Sequence, residues 1–225
     1  MKLSVVIPVY NEKNTVAEVI KKVSCVVVDK EIIAVDDGST DGTRKILKTM
    51  SLPELKIILK DKNEGKASAV RRGIREARGK YIIIQDADTE YDPEDYPALL
   101  KAVENKAVDA VYGDRFPRGR KNFLFKSFMA NKFLTLLTNI LYGSRVKDME
   151  TCYKLIPRKV ALSLELKEEN FNIEPEITTK LLKKGLNIEN VPIHYRGRSY
   201  EEGKKIGFMD FLSAIRVLFK YRFFT

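Results

Sequence analysis

Short apolar runs alternate with amphipathic stretches along the first half of the chain. Leu3 to Val9, Glu31 to Val35, Leu55 to Leu59, Tyr81 to Gln85 and Val108 to Gly113 are rich in Val, Ile and Leu and of strand length. Runs of this kind predict strands buried on both faces. Between them, Asn14 to Val23 places Val16, Val19, Ile20 and Val23 on one helical face. Thr40 to Met50, Lys66 to Arg78 and Pro93 to Asn105 predict three more helices, the second of these stopped by Gly79. Strand–helix alternation with crossover helices of this length argues for an α/β domain. The sheet should be central and mostly parallel, with helices on both faces.

Beyond Gly113 the pattern changes. From Arg115 to Lys147 there are eight Lys/Arg and no acid. Inside that basic stretch, Phe123 to Tyr142 is crowded with Phe, Leu and Met, interrupted by Lys126 and Lys132. It reads as a core helix or as a helix lying in a membrane interface, apolar side in the acyl boundary and basic residues at the headgroups. Asn172 is expected to cap a helix from Ile173 to Lys184, with Pro175 in its first turn and Gly185 at its end. Leu186 to Tyr195 predicts another strand. Arg196-Gly197-Arg198-Ser199 and Gly203-Lys204-Lys205 form a basic, glycine-bearing loop suited to phosphate, or simply solvated. Ile206 to Phe224 closes as an amphipathic helix with Arg216, Lys220 and Arg222 on its polar side. The whole of 1–225 reads as one domain in two halves, 1–115 and 116–225, the second carrying amphipathic segments at 122–142 and 206–224.

The polar clusters fall where strands end: Pro8 to Glu12, Asp36-Asp37-Gly38-Ser39, and Asp86-Ala87-Asp88. Open α/β sheets bind ligands at the carboxyl ends of their strands. The fourth strand is the most telling, because Tyr81-Ile82-Ile83-Ile84 runs straight into Asp86, Asp88, Glu90 and Asp92. Carboxylates gathered there repel one another and resist desolvation. A hard divalent cation, Mg²⁺ or Mn²⁺, removes that problem, typically held by one or two carboxylates plus substrate phosphates. A solvated acidic turn has the same letters.

Composition narrows the field. The 225 residues carry a net charge of +10, which points to an anionic partner. A hydrophobic content of 44% supports a substantial core. Cys25 and Cys152 are isolated, so neither a disulfide framework nor a zinc site is expected, and a reducing compartment is the default. Met1-Lys2-Leu3-Ser4 enters a strand at once, so no secretory leader is expected. No uncharged apolar stretch reaches the ~18 residues of a membrane-spanning helix. There is no GxGxxG after the first strand and no GxxxxGK[ST], which weighs against dinucleotide enzymes and ordinary P-loops.

Four motifs stand in order: VVIPVYNE at 5–12, AVDDGSTDGT at 34–43, NEGKASAVRRGI at 63–74 and QDADTEYDP at 85–93. Together they resemble the family 2 glycosyltransferases, with the GT-A nucleotide-diphospho-sugar transferase fold. KDMETCYKLIPR at 147–158, NFNIEPEITTKLLKKG at 170–185 and YRGRSYEEGKKIGFMD at 195–210 are similar to the polyprenyl-phosphate sugar transferases, the branch of the dolichyl-phosphate mannose and glucose synthases. The resemblance implies that Pro8, Tyr10, Glu12 and Asp37 hold the nucleotide, and that Lys66, Asp86, Ala87 and Asp88 meet the rest of the donor. Asp86, Asp88 and Glu90 would be the metal ligands, although many relatives carry Gln at the Glu90 position. Arg115, Arg198 and Lys204 would face acceptor or donor phosphates. Asp88, Arg115 and Asp148 are the implied catalytic residues. The chain has no Trp, so it lacks the QxxRW signature of processive synthases.

The implied reaction moves a hexose from a GDP- or UDP-sugar to a polyprenyl (dolichyl) phosphate, with inversion. The setting would be peripheral, at the cytoplasmic face of the membrane. A soluble glycan or small-molecule acceptor is the alternative. A nucleic-acid partner fits poorly, because the acidic strand end repels phosphate unless a metal intervenes. A lipid monophosphate is already ionised near neutral pH, its second pKa being about 6, so no strong base is needed. Asp148 would be the base if the acceptor were a hydroxyl, and otherwise an orienting group. His194, the sole histidine, is not expected to be catalytic.

Overall fold

The computed structural model describes residues 1–105, 108–117, 125–197 and 207–224. Seven strands form one sheet: β1 Leu3–Val9, β2 Lys30–Asp36, β3 Leu55–Leu59, β4 Tyr81–Ile84, β5 Ala110–Asp114, β6 Lys154–Pro157 and β7 Ile188–Pro192. The helices are α1 Val16–Cys25, α2 Thr43–Thr49, α3 Lys66–Glu76, α4 Tyr96–Asn105, α5 Phe125–Tyr142, α6 Arg158–Ser163, α7 Ile173–Lys183 and α8 Phe208–Phe223.

The strand order is β3-β2-β1-β4-β6-β5-β7. The first four in that order are mutually parallel, as are β5 and β7, while β6 runs antiparallel to both of its neighbours. β1 lies between β2 and β4, with Val5 paired to Ile32 on one side and Ile83 on the other. Leu3, Val5, Val6 and Ile7 are fully buried, which is why the strand is apolar there apart from Ser4, whose buried hydroxyl donates to Glu31 Oε1 at 2.5 Å. Each such side chain contributes about 1.5–3 kcal/mol relative to exposure. α3 crosses this strand at Gly73, where an added Cβ would collide with Val6.

β6 and α6 are absent from the sequence reading. β6 is only four residues, Lys-Leu-Ile-Pro, with a charge at its start and a proline at its end, so no period-2 or long apolar signal marks it. Its direction matters for the site. An antiparallel strand begins at the edge of the sheet where its parallel neighbours finish. The segment entering β6 is therefore delivered to the rim formed by the carboxyl ends of β1, β2, β4 and β5.

Other boundaries shift for local reasons. α2 begins at Thr43, not Thr40, because Asp41 turns back on itself and accepts from the Thr43 amide at 3.0 Å. β7 is shorter than expected, only partly buried, and ends in Pro192, as an edge strand does. Asn172 does not cap α7 with its side chain; it closes a 3-10 turn, Asn170–Asn172, and donates to Ser213 Oγ at 2.8 Å. Gly185 does terminate the α7 region, with φ 70° and its amide bonded to Leu182.

Candidate active site

The three loops at the ends of β1, β2 and β3 are tied into one rim. Asn11, in a left-handed conformation with φ 53°, donates its amide to Ser39 Oγ at 2.9 Å and accepts from the Thr40 amide at 2.9 Å. Asp37 is buried and accepts from the amides of Glu64 and Gly65 at 3.1 and 2.7 Å, while Lys60 pairs with its other oxygen. Gly65 has φ +88°, and a Cβ there would strike Asn170, so the turn before α3 admits only glycine comfortably.

The rim encloses a cavity of about 580 Å³. Pro8, Tyr10, Glu12 and Asp37 line it, as do Lys66, Asp86, Ala87, Asp88, Glu90 and Arg115. Every donor-side position singled out in the sequence thus reaches one cavity. Arg198 and Lys204 lie outside the described residues. The chain enters that loop at the rim, however: the Arg196 amide donates to the Glu90 carbonyl at 2.8 Å and the Tyr195 hydroxyl to Glu90 Oε2 at 3.1 Å.

Asp148 is placed differently. It is fully buried and does not line the cavity. Its two oxygens accept from Arg115 Nε at 2.6 Å and Nη2 at 2.8 Å. Burial works against the Arg115 charge, but Asp148, together with Tyr91 and Tyr195, more than offsets it and holds the guanidinium charged. Tyr195 stacks on the same guanidinium at 5.1 Å. The pair is a planar, bidentate arrangement that fixes Arg115 in one orientation.

Glu150, Lys154 and Glu174, beside this pair, carried no role in the sequence reading, unlike Lys66, which joins them. Lys66 Nζ approaches Asp86 at 2.7 Å and Glu174 at 3.3 Å, the latter out of hydrogen-bonding direction. Burial opposes the Lys66 ammonium, but Asp86 above all more than offsets it and raises the pKa well above its ordinary value. Lys154, wholly buried, reaches Glu174 Oε2 at 2.5 Å. Glu150 lines the cavity, and its Oε1 is shielded from solvent without a hydrogen-bond partner among the described residues. Burial pushes its carboxyl up to about 7, against the pull of Lys154. The signal for Lys154 was available: a lysine inside the apolar run Cys152-Tyr153-Lys154-Leu155-Ile156 needs a buried carboxylate.

Asp86 and Asp88 offer only hard oxygen donors at one strand end, which suits Mg²⁺ or Mn²⁺. Glu90 lines the same stretch of cavity wall. No three His, Cys, Asp or Glu side chains converge as a ready cluster among the described residues, so a cation held there would draw its remaining ligands from elsewhere.

The far wall of the cavity comes from α5 and α8, through Lys126, Ser127, Ala130, Asn131 and Leu134 on one and Phe208, Phe211 and Ala214 on the other. The helices pack together, with Phe133 and Phe211 rings 5.9 Å apart and the Tyr142 hydroxyl on the Leu218 carbonyl at 2.8 Å. Their outer faces are apolar. Phe125, Met129, Phe133, Leu136 and Ile140 recur at helical spacing on α5 and are exposed, Phe125 by 77% and Ile140 by 70%. Phe208, Met209, Leu212, Phe219 and Phe223 do the same on α8. No described helix is long and apolar enough to cross a membrane.

Comparison with known proteins places this geometry. The pattern of glycosyl transferase family 2 matches residues 4–164. The chain is 32% identical over 98% of its length to a dolichol-phosphate mannosyltransferase of Pyrococcus furiosus, and 30% identical over 78% to a dodecaprenyl-phosphate galacturonate synthase of Rhizobium johnstonii. It spans 64% of the first enzyme and 53% of the second. In three dimensions it resembles glucosyl-3-phosphoglycerate synthase of Mycobacterium tuberculosis bound to UDP. The TM-score is 0.74 at 20% identity, over 98% of this chain and 79% of that one. The same enzyme has been solved with Mg²⁺ and UDP. The relatives named for polyprenyl-phosphate sugars are of the branch that the later motifs resemble. With motifs, sheet order and relatives in agreement, the chain belongs to glycosyl transferase family 2 and has the GT-A fold.

Proposed function

We propose that the protein transfers a hexose from a nucleotide-diphospho-sugar to a polyprenyl phosphate at a membrane surface. One observation carries the choice of acceptor: the cavity holding the donor-side residues is walled by α5 and α8, whose outer faces are apolar and exposed. Large exposed apolar patches mark interaction surfaces. A phosphate at headgroup height, attached to a buried polyprenyl chain, reaches a cavity that opens beside such a surface. Lys126, Lys132 and Arg216 on the same helices supply cations for anionic headgroups. The relatives named for dolichol- and dodecaprenyl-phosphate sugars support the same acceptor class. The association is peripheral, and the reduced cysteines fit the cytoplasmic side.

In this reading Pro8, Tyr10, Glu12 and Asp37 bind the nucleoside. Asp86 and Asp88, with Glu90 near, would hold Mg²⁺ or Mn²⁺, which would supply Lewis-acid neutralisation of the diphosphate leaving group. Lys66, fixed against Asp86, adds a positive charge beside the same diphosphate. Arg115 receives the acceptor phosphate, its fork held flat by Asp148 and Tyr195. The acceptor oxygen is ionised, so no base is required, and Asp148, buried behind Arg115, positions rather than deprotonates. In this reading Arg198 and Lys204 assist from the basic loop.

The test is direct. Purified protein is incubated with Mg²⁺ or Mn²⁺, UDP- and GDP-hexoses and a short polyprenyl phosphate in detergent. Formation of a glycolipid is the expected result. Transfer to soluble acceptors alone overturns the lipid reading.

A further inference from the structure

We propose that Glu150 reads the transferred sugar: its carboxylate accepts the sugar hydroxyls and turns away sugars that carry a carboxylate of their own. The inference rests on the donor-site reading above and deepens it to a substrate class, a neutral hexose.

Strand order fixes where the sugar must lie. Across the rim the sheet runs β2, β1, β4, β6, β5. Asp37 follows β2 and Tyr10 and Glu12 follow β1, at the nucleoside end; Asp86 and Asp88 follow β4, in the middle. A nucleoside at the first and a diphosphate at the second leave the sugar over the segment that enters β6. Glu150 is the carboxylate which that segment presents to the cavity. Glu174, in the first turn of α7, lines the same region.

Pairing singles out Glu150 from its neighbours. Asp148 is taken by Arg115, Glu174 by Lys154, and Asp86 by Lys66. Glu150 Oε1 has no such partner among the described residues and no access to solvent. Buried polar atoms left unpaired in this way call for an explanation, and a ligand that completes them is one. A sugar hydroxyl is an O–H donor and satisfies a carboxylate oxygen, with the added strength of a charged acceptor. A uronate would instead bring a second carboxylate against Glu150, with Glu174 close behind. Like charges in a site of low dielectric repel strongly. The chain's relative named for galacturonate transfer shows that the family contains both sugar classes, so the discrimination is meaningful here.

Two matched donor pairs test the idea: UDP-glucose with UDP-glucuronate, and GDP-mannose with GDP-mannuronate. Within each pair only the C6 group differs, a hydroxymethyl or a carboxylate. Binding to full-length protein is measured by calorimetry with Mg²⁺ at pH 8, where Glu150, at about 7, is mostly ionised. UDP and GDP alone serve as reference ligands. Wild type is expected to bind the neutral member of the accepted pair about tenfold or more tighter than its uronate twin. Glu150→Gln should shrink that ratio to about threefold or less, leaving the bare nucleotide unchanged. Equal binding of the twins by wild type overturns the inference without recourse to any variant. An unaltered ratio in Glu150→Gln does so too. If neither UDP nor GDP binds, the donor-site reading falls and takes this inference with it; if a nucleotide binds but the sugars are not discriminated, the inference alone falls.

Discussion

The two halves of the chain treat charge and apolar surface in opposite ways. In residues 1–115 the inner strands β1, β2 and β4 are largely dry, the edge strand β3 is half-buried, and the acids collect at the strand ends. Val5, Ile33 and Ile83 are buried, and Asp36, Asp37, Asp86 and Asp88 gather at the rim. In the second half, Lys154, Glu174, Glu176 and Asp148 are buried, while Phe125, Phe133, Ile140, Phe208 and Phe223 face outward. The first arrangement is that of a domain meeting water and a charged ligand on one edge. The second is that of a domain with a polar interior next to its site and an apolar exterior beside it. The proposed pairing of a soluble donor with a lipid acceptor asks for that division.

Four experiments would break or sharpen the contrast. The largest effect is expected at the donor rim. Asp88→Asn should lower transfer by about 10³-fold, the scale of losing metal-assisted stabilisation of a leaving group, with the melting temperature kept or raised. Steady-state kinetics at saturating metal check it, and activity within a few-fold of wild type would remove Asp88 from the site.

The buried charges of the second half come next. Lys154→Met strands Glu174 with only the oblique contact to Lys66, and should cost about 3 kcal/mol in urea unfolding. Adding Glu174→Leu should recover most of that loss, because both charges are then gone. No recovery would mean that Lys154 matters through packing alone.

The apolar exterior should behave the other way. Phe125→Glu with Ile140→Glu changes exposed positions, so stability should move by no more than about 0.5 kcal/mol. Binding to anionic liposomes should drop by about 10²-fold, as expected for removing two inserted side chains worth about 1.5–3 kcal/mol each. Wild type that stays in the supernatant at low salt would refute the membrane surface.

The smallest effect is a pH slope. Burial raises the Glu150 carboxyl from 4.5 to about 7, so between these values the folded state holds a proton that the unfolded chain has released. Stability contributed by Glu150 is therefore present below about 4.5 and lost as pH rises towards 7. Glu150→Gln should flatten that part of the stability profile and be more stable than wild type at pH 8, by about 1 kcal/mol. An unchanged slope would show that Glu150 finds a partner in solution.

The first half was largely legible in the sequence because its signals are local. Tyr81 to Ile84 followed by Asp86 and Asp88 marks a buried strand and a polar rim within eight residues. Asn63-Glu64-Gly65 marks the turn that Asp37 grips. In the second half the same reading found α5, α7 and α8 but neither β6 nor α6, and it left Glu150, Lys154 and Glu174 without roles. Those roles depend on pairings across 20 residues and more, between Lys154 and Glu174 or between Lys66 and Glu174. Nothing in the spacing of the letters announces which charge meets which.

The sequence by itself determined the parallel α/β core, the acidic end of β4, the basic and apolar character of α5, and the family. Periodicity and turn chemistry act between near neighbours, so they survive in one dimension. Tertiary structure decided the rest. Because β6 runs antiparallel, the segment carrying Asp148 and Glu150 arrives at the rim rather than at the opposite edge of the sheet. Because α5 packs on α8, one face of each closes the cavity and the other is left apolar and exposed. Direction of a short strand and choice of helix face are settled by packing against distant elements, where burial energy is summed over the whole core rather than over any stretch of chain.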